Sequence, residues 1–289
     1  METVKSESLI RLLDDPDQMV YDAVSREIEL LGSDMLPGLE SAARDAMTPD
    51  VHERIERIIR VVRFNQLKQD ISAWIRHPQP RLIDGAWLMA RFQFPELNHD
   101  DFIKQLKPIR DEIWLEISDS LTALEKIRVI NLLLFKNDRI ALNEDHPTSP
   151  GNNYINLLLE SGKGNEVSIS LLYAIIGQEL GIPLFFTDMP DYPVLAYVDT
   201  PYAPESVMSP SQFEVLFYVN PSEKGTVHSR FDLTNYVVNL SLPLLPRFFS
   251  PGRNLEFIKL CFNQLAVDYE LAGSKIRSAQ VLDLVNLWK

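Results

Sequence analysis

Residues 154–197 read YINLLLESGKGNEVSISLLYAIIGQELGIPLFFTDMPDYPVLAY. Within them, the run from Val167 to Leu180 is apolar nearly all round, starts behind Gly162, Gly164 and Asn165, and stops at Gly181 with Pro183 just beyond. A helix without a polar face has to be buried, and Gly followed by Pro is a helix stop. PLFFTDM and VLAYVDT follow, then EVLFYVN and RFDLTNYVV further on, each rich in aromatic or β-branched residues and bounded by Pro, Asp, Asn or Gly. They read as strands of an antiparallel sheet. The expected class is α+β, a buried helix against that sheet.

Upstream the periodicity is helical. Val20, Val24, Ile28 and Leu31 fall on one stripe closed by Gly32, which gives one amphipathic helix. A second is expected from a cap at Ser33 or Asp34, with Pro37 early and Leu36 and Leu39 on its apolar face. Val51, Ile55, Ile58, Ile59 and Val62 mark a third. Short helices that cannot each bury a stripe alone are the grammar of helical repeats, so this region is read as HEAT-like. Trp74, Leu82, Trp87, Leu88 and Phe92 supply further core. In DEIWLEISDSLTALEKIRVINLLLF, Thr122 and Glu125 have the spacing of a capping box, and one bent helix or two helices fit. KNDRIALNEDHPTSPGNNYIN reads as a long ordered loop or a boundary. From Asn254 to Trp288 the pattern is a helical hairpin broken at Gly273. The expected division is 1–68 helical, 69–250 core with a helical lead-in, and 251–289 the hairpin.

Composition narrows the function classes. Of the 289 residues 45% are hydrophobic and 24% charged, as in ordinary globular proteins with a large core. A net charge of −13 repels phosphate backbones and anionic lipid, so neither nucleic acid nor a membrane surface is expected as a partner. The single cysteine, Cys261, suits a reducing compartment. METVKSESLIRLLDD lacks the apolar stretch of a signal peptide, and no run approaches the roughly 20 apolar residues of a membrane span. A cytoplasmic location is expected.

The order and spacing of NNYINLLLE, GNEVSISLLY, LGIP and MPDYPVLAY resemble the transglutaminase-like superfamily, and within it the bacterial SirB-type branch. The resemblance extends to DGAWLMARFQFPELN upstream and, more loosely, to the HEAT-like start and to NLEFIKLCFNQLAVDYE, which is similar to a tetratricopeptide-like end. It implies a papain-like core. Active members place a cysteine at the head of the buried helix, where the macrodipole stabilises a thiolate; a histidine on the adjoining strand takes the proton and an aspartate orients it. In this sequence those three positions correspond to Glu166, Tyr192 and Asn220, so the triad is not retained.

Other residues at or near those positions have ordinary structural readings. Glu166 in a first helical turn compensates the dipole, with a carboxylate base in a remade site as the alternative. Ser168 and Ser170 lack an evident base and are expected to bond backbone or pack. Tyr192 and Asn220 are read as a hydrogen-bonded remnant of the former site. Cys261, between Leu260 and Phe262, reads as a core thiol. His52, His77, His99, His146 and His228 form no metal motif; His146 and His228 are candidate loop bases but are expected to be solvated. The GKG of residues 162–164 lacks the rest of a phosphate loop and reads as a turn. The mixed charges at Glu53, Arg54, Glu56 and Arg57 mark a solvated helix face.

No catalytic residue, cofactor or metal is therefore assigned. The expected function is non-catalytic: a protein-binding or regulatory scaffold whose partner is another protein. The alternative is a hydrolase, transferase or small-ligand-binding module with a remade polar site in the old cleft.

Overall fold

A computed structural model describes residues 8–46, 48–191, 193–204 and 207–289. The chain divides into two compact units, Met1–Ser72 and Ala73–Lys289. In the first, helix α1 (Gln18–Leu31) is capped by Asp17, whose carboxylate accepts from the Met19 N–H at 2.8 Å. It ends at Gly32, with φ +71°, a conformation glycine adopts without steric cost. No cap forms at Ser33 or Asp34: residues Gly32–Met35 make a 3-10 turn, and α2 (Leu36–Asp45) starts behind Met35 with Pro37 in its first turn. Proline presets that turn and needs no cap donor. Helix α3 (Pro49–Ile75) supplies the third stripe. Ile28, Leu39, Ile55, Ile58 and Val62 close one apolar core.

In the second unit, helices α4 (Leu82–Arg91), α5 (His99–Glu116) and α6 (Ala123–Phe135) lead into the core. The ambiguous stretch is two helices, and Thr122 and Glu125 form the capping box that separates them. The polar stretch that follows is more structured than a loop. Strand β1 (Ala141–Leu142) pairs in parallel with β2 (Lys163–Gly164), and helix α7 (Ile155–Ser161) lies between them. The GKG expected to be only a turn is therefore part of a short ladder.

Helix α8 (Glu166–Glu179) is the buried helix, with every residue from Val167 to Gly177 buried. It packs on α4, on α7 and on strands β3 (Leu184–Thr187) and β4 (Val194–Asp199). Strands β5 (Glu214–Asn220) and β6 (Thr226–His228) complete an antiparallel sheet in the order β3-β4-β5-β6. Tyr197 pairs with Phe217 and Val198 with Val215, so Leu216 is the extra residue of a bulge.

RFDLTNYVV is not a strand. It forms helix α9 (Arg230–Asn239), started by Ser229 and Asp232 in a reciprocal capping box. Leu233 and Val237, one turn apart, are the side chains it buries, against Val194, Ala196, Val198 and Tyr218 of the sheet. With α8 on one face and α9 on the other, β4 is buried on both sides, which is why it reads as a continuous apolar run. Helices α10 (Asn254–Leu271) and α11 (Lys275–Val285) form the terminal hairpin around Gly273, φ +77°. No helix among the described residues is long and apolar enough to cross a membrane.

Candidate functional site

The head of α8 is a polar knot in an otherwise apolar core. Asn165 caps the helix: its Oδ1 accepts from the Ser168 N–H at 2.8 Å, and Ser168 Oγ accepts from the Asn165 N–H at 3.1 Å. The Asn165 Nδ2 reaches Asn153 Oδ1 at 3.0 Å and Asp268 Oδ2 at 3.4 Å. Asn153 Nδ2 donates to the same Asp268 oxygen at 2.6 Å, and Gln264 Nε2 donates to the other at 2.9 Å. Asp268 is 2% exposed, so its charge would be costly in this setting. Burial pushes its carboxyl above the ordinary range against the pull of the three amides, and the negative charge of Glu166 adds to the rise. Three elements, the 3-10 turn Pro150–Asn153, the head of α8 and helix α10, thus meet on one carboxyl group.

The residues singled out from the sequence are distributed around this knot. Glu166 is exposed in the first turn of α8. Tyr192 lies outside the described residues. Asn220 is fully buried at the end of β5, where its Oδ1 accepts from Ser222 Oγ at 2.7 Å and from the Ser222 N–H at 3.2 Å. Its Nδ2 has no partner among the described residues. His228 sits on β6 opposite Tyr218, with Nε2 3.5 Å from Glu223 Oε2. No hydrogen bond joins Glu166, Asn220 and His228 to one another among the described residues. Ser168 is engaged in the cap, and Ser170 Oγ donates to the carbonyl of Pro193 at 3.1 Å. Cys261 is buried in α10, and desolvation pushes its thiol well above the usual range. His146 is exposed. No three His, Cys, Asp or Glu side chains converge as metal ligands among the described residues.

Two clefts flank the first turns of α8. One, of about 320 Å³, is lined by Lys163, Ile169, Asn143 and the Pro221–Ser222 turn that Asn220 caps. The other, of about 510 Å³, is lined by Val167, Pro193, Met189, Leu242, Phe248 and Gln264. Gln264 links this second cleft to the carboxyl of Asp268.

A buried helix heading a cleft, with an antiparallel sheet behind it, agrees with the outcome of comparison with protein families: the model described as transglutaminase-like superfamily matches residues 100–263, more than half of the chain. The chain belongs to the transglutaminase-like superfamily. It is also similar to the UPF0162 proteins of two strains of Xylella fastidiosa, Temecula1 and 9a5c, each 25% identical over 111 residues. Those residues are 38% of this chain and 40% of each relative, so the match spans two fifths of the length of those curated relatives. No solved structure matches the chain.

The transglutaminase-like span closes at residue 263, just before Gln264 and Asp268. The buried carboxyl group that Asn165 of the helix head reaches therefore comes from a part of the chain beyond the family match. Sequence reading missed it, and with it the role of Asn153 and Asn165, because these lie 115 and 103 residues away from Asp268. The available signal was an Asn-Asn pair before α7 and an Asn before α8, polar residues where the flanking chain is apolar.

Proposed function

We propose that this chain is a SirB-type member of the superfamily that has lost the catalytic triad and acts as a protein-binding or regulatory scaffold in the bacterial cytoplasm. One observation carries the reading: Asn220, at one of the three triad positions, and the two hydroxyls that follow Glu166 on α8 all serve the fold. Ser168 caps α8, Ser170 ties α8 to Pro193, and Asn220 caps the turn after β5. The lone thiol is sequestered in α10. None of these groups is a base near neutral pH. The amphipathic helices of the first unit, read as HEAT-like, and the TPR-like hairpin are the kinds of surface that bind other proteins.

The test is direct. Purified full-length protein is incubated with glutamine peptides plus amine donors and with ester substrates; no turnover is expected. Turnover that disappears in Glu166→Ala would overturn the reading. A second reading, a small-ligand site remade in the cleft, is supported by the fully buried Asn220 Nδ2, which has no partner among the described residues. A buried donor left unpaired is costly, and a bound acceptor would relieve it. That reading requires the Asn220 side-chain amide resonance to move when a ligand is added.

A further inference from the structure

The larger cleft beside α8 has walls that point to a particular kind of occupant. Val167 of α8 and Leu260 of α10 line it together with Met189, Pro193, Leu242 and Phe248. Residues 188–191 and Pro193 form one wall and residues from Leu242 to Phe248 the other. The two are already tied, since the Asp188 N–H donates to the Arg247 carbonyl at 3.3 Å, so the cleft is formed before anything enters it. Beside it Leu240, Leu242 and Leu244 are 38%, 40% and 51% exposed. Alternate residues of one segment thus present leucine to solvent, and such apolar surface marks a place that something covers.

The charges select among occupants. Asp188 and Asp191 line the cleft against one cation, Arg247. The Arg247 guanidinium is 3.2 Å from Asp188 and also lies over the Phe248 ring. Asp191 has a neutral partner, the Tyr236 hydroxyl at 2.7 Å, which satisfies a lone pair without cancelling charge. Despite Arg247, burial holds the Asp188 carboxyl above its ordinary range, with the charge of Glu256 adding to the rise. One carboxylate more than the lining arginine neutralises, at the rim of apolar walls, is complementary to a single cation on an apolar body.

We propose that this cleft docks an extended segment of a partner protein, one that carries a lysine or arginine between apolar residues. The apolar side chains cover the leucine row, and the cation sits between Asp188 and Asp191. This rests on the protein-binding reading above and names its site and the chemistry of its partner.

The experiment uses full-length protein and two fluorescein-labelled peptides of leucine and proline, one with a central lysine and one with a central glutamate, followed by fluorescence anisotropy. Saturable binding of the lysine peptide that weakens with salt is expected, with little binding of the glutamate peptide. The double variant Asp188→Asn, Asp191→Asn should weaken the lysine peptide about tenfold. Asn is chosen at residue 191 because it tolerates the left-handed backbone there, φ +69°. Leu242→Asp should abolish binding, and an unchanged thermal midpoint shows that each variant is folded. Equal binding of both peptides, or saturable binding of neither, overturns the proposal. A protein partner that copurifies with the wild type and equally with Leu242→Asp overturns the docking site and leaves the scaffold reading standing. Turnover lost in Glu166→Ala overturns the scaffold reading itself.

Discussion

The first unit buries one polar side chain among its described residues, Ser25. The second buries Asn152, Asn153, Asn165, Asn220, Asp268 and four serine and threonine side chains among its described residues. Both rest on apolar packing of the same kind, with Ile28 and Leu39 fully buried in one and Leu171 and Val194 in the other. The difference is in what specifies them. Three amphipathic helices can pack wherever apolar stripes of suitable size meet. The knot at the head of α8 forms only if Asn153, Asn165, Gln264 and Asp268 arrive together, because a partly satisfied buried network is worse than an apolar one. Polar burial therefore marks the region whose geometry is constrained, and that region contains both clefts.

The largest expected effect tests the knot. Asp268→Ala leaves the buried Asn153 amide without its acceptor, releases the part-buried Gln264 amide and opens a void, and should cost about 3 kcal/mol. Urea unfolding followed by circular dichroism measures it. A loss no greater than an average surface substitution would mean that the network is ornamental and that the two units do not differ in the way described.

The next effect depends on pH. Because burial holds the Asp268 carboxyl above its ordinary range, the folded chain keeps a proton there that the unfolded chain has released. Its contribution is present below the ordinary carboxylate range and is lost as pH rises from there through the raised folded value. Asp268→Asn carries no such proton. The difference in unfolding midpoint between wild type and variant should therefore shift in favour of the variant as pH rises across that window. A pH-independent difference would show that the carboxyl titrates alike in both states.

Legibility in the sequence follows the same division. Helix α8 was readable because an apolar run ending in Gly181 has one physical solution, and β3 and β4 because burial on both faces removes polar residues altogether. The capping box at Thr122 and Glu125 and the break at Gly273 are local signals and came through. Helix α9 was hidden because Phe231, Tyr236, Val237 and Val238 carry strand propensity. What decides the issue is tertiary: Phe231 and Val238 are 71% and 55% exposed, while Leu233 and Val237 meet the sheet. Strand β6 has three residues, too few for a pattern. Asp268 lies in VDYE on a helix with charged neighbours and reads as surface; only the fold brings Asn153 to it.

A third measurement concerns the thiol. Cys261 is 1% exposed, and burial raises its pKa well above neutrality, so neither access nor thiolate is available in the folded state. Iodoacetamide at neutral pH should leave native protein unlabelled and modify it once per chain in denaturant. Rapid native labelling would place α10 among locally opening segments and weaken the claim that the knot anchors it.

The smallest expected effect is the sharpest control. Ser25 Oγ donates to the Tyr21 carbonyl at 2.7 Å, one turn back along α1. That carbonyl already serves the helix ladder, so removing the hydroxyl orphans nothing. Ser25→Ala loses one shared bond and gains the better helix former, two terms of about 0.5 kcal/mol with opposite sign. The net change in unfolding free energy should lie within about 0.5 kcal/mol of zero. Ser170→Ala removes the same hydroxyl from another buried helical position, but its acceptor, Pro193, lies 23 residues away and lines the larger cleft. That variant should cost about 1 kcal/mol. If the two serines prove equal, buried polar groups are interchangeable between the units, and the special status given to the second unit has to be withdrawn.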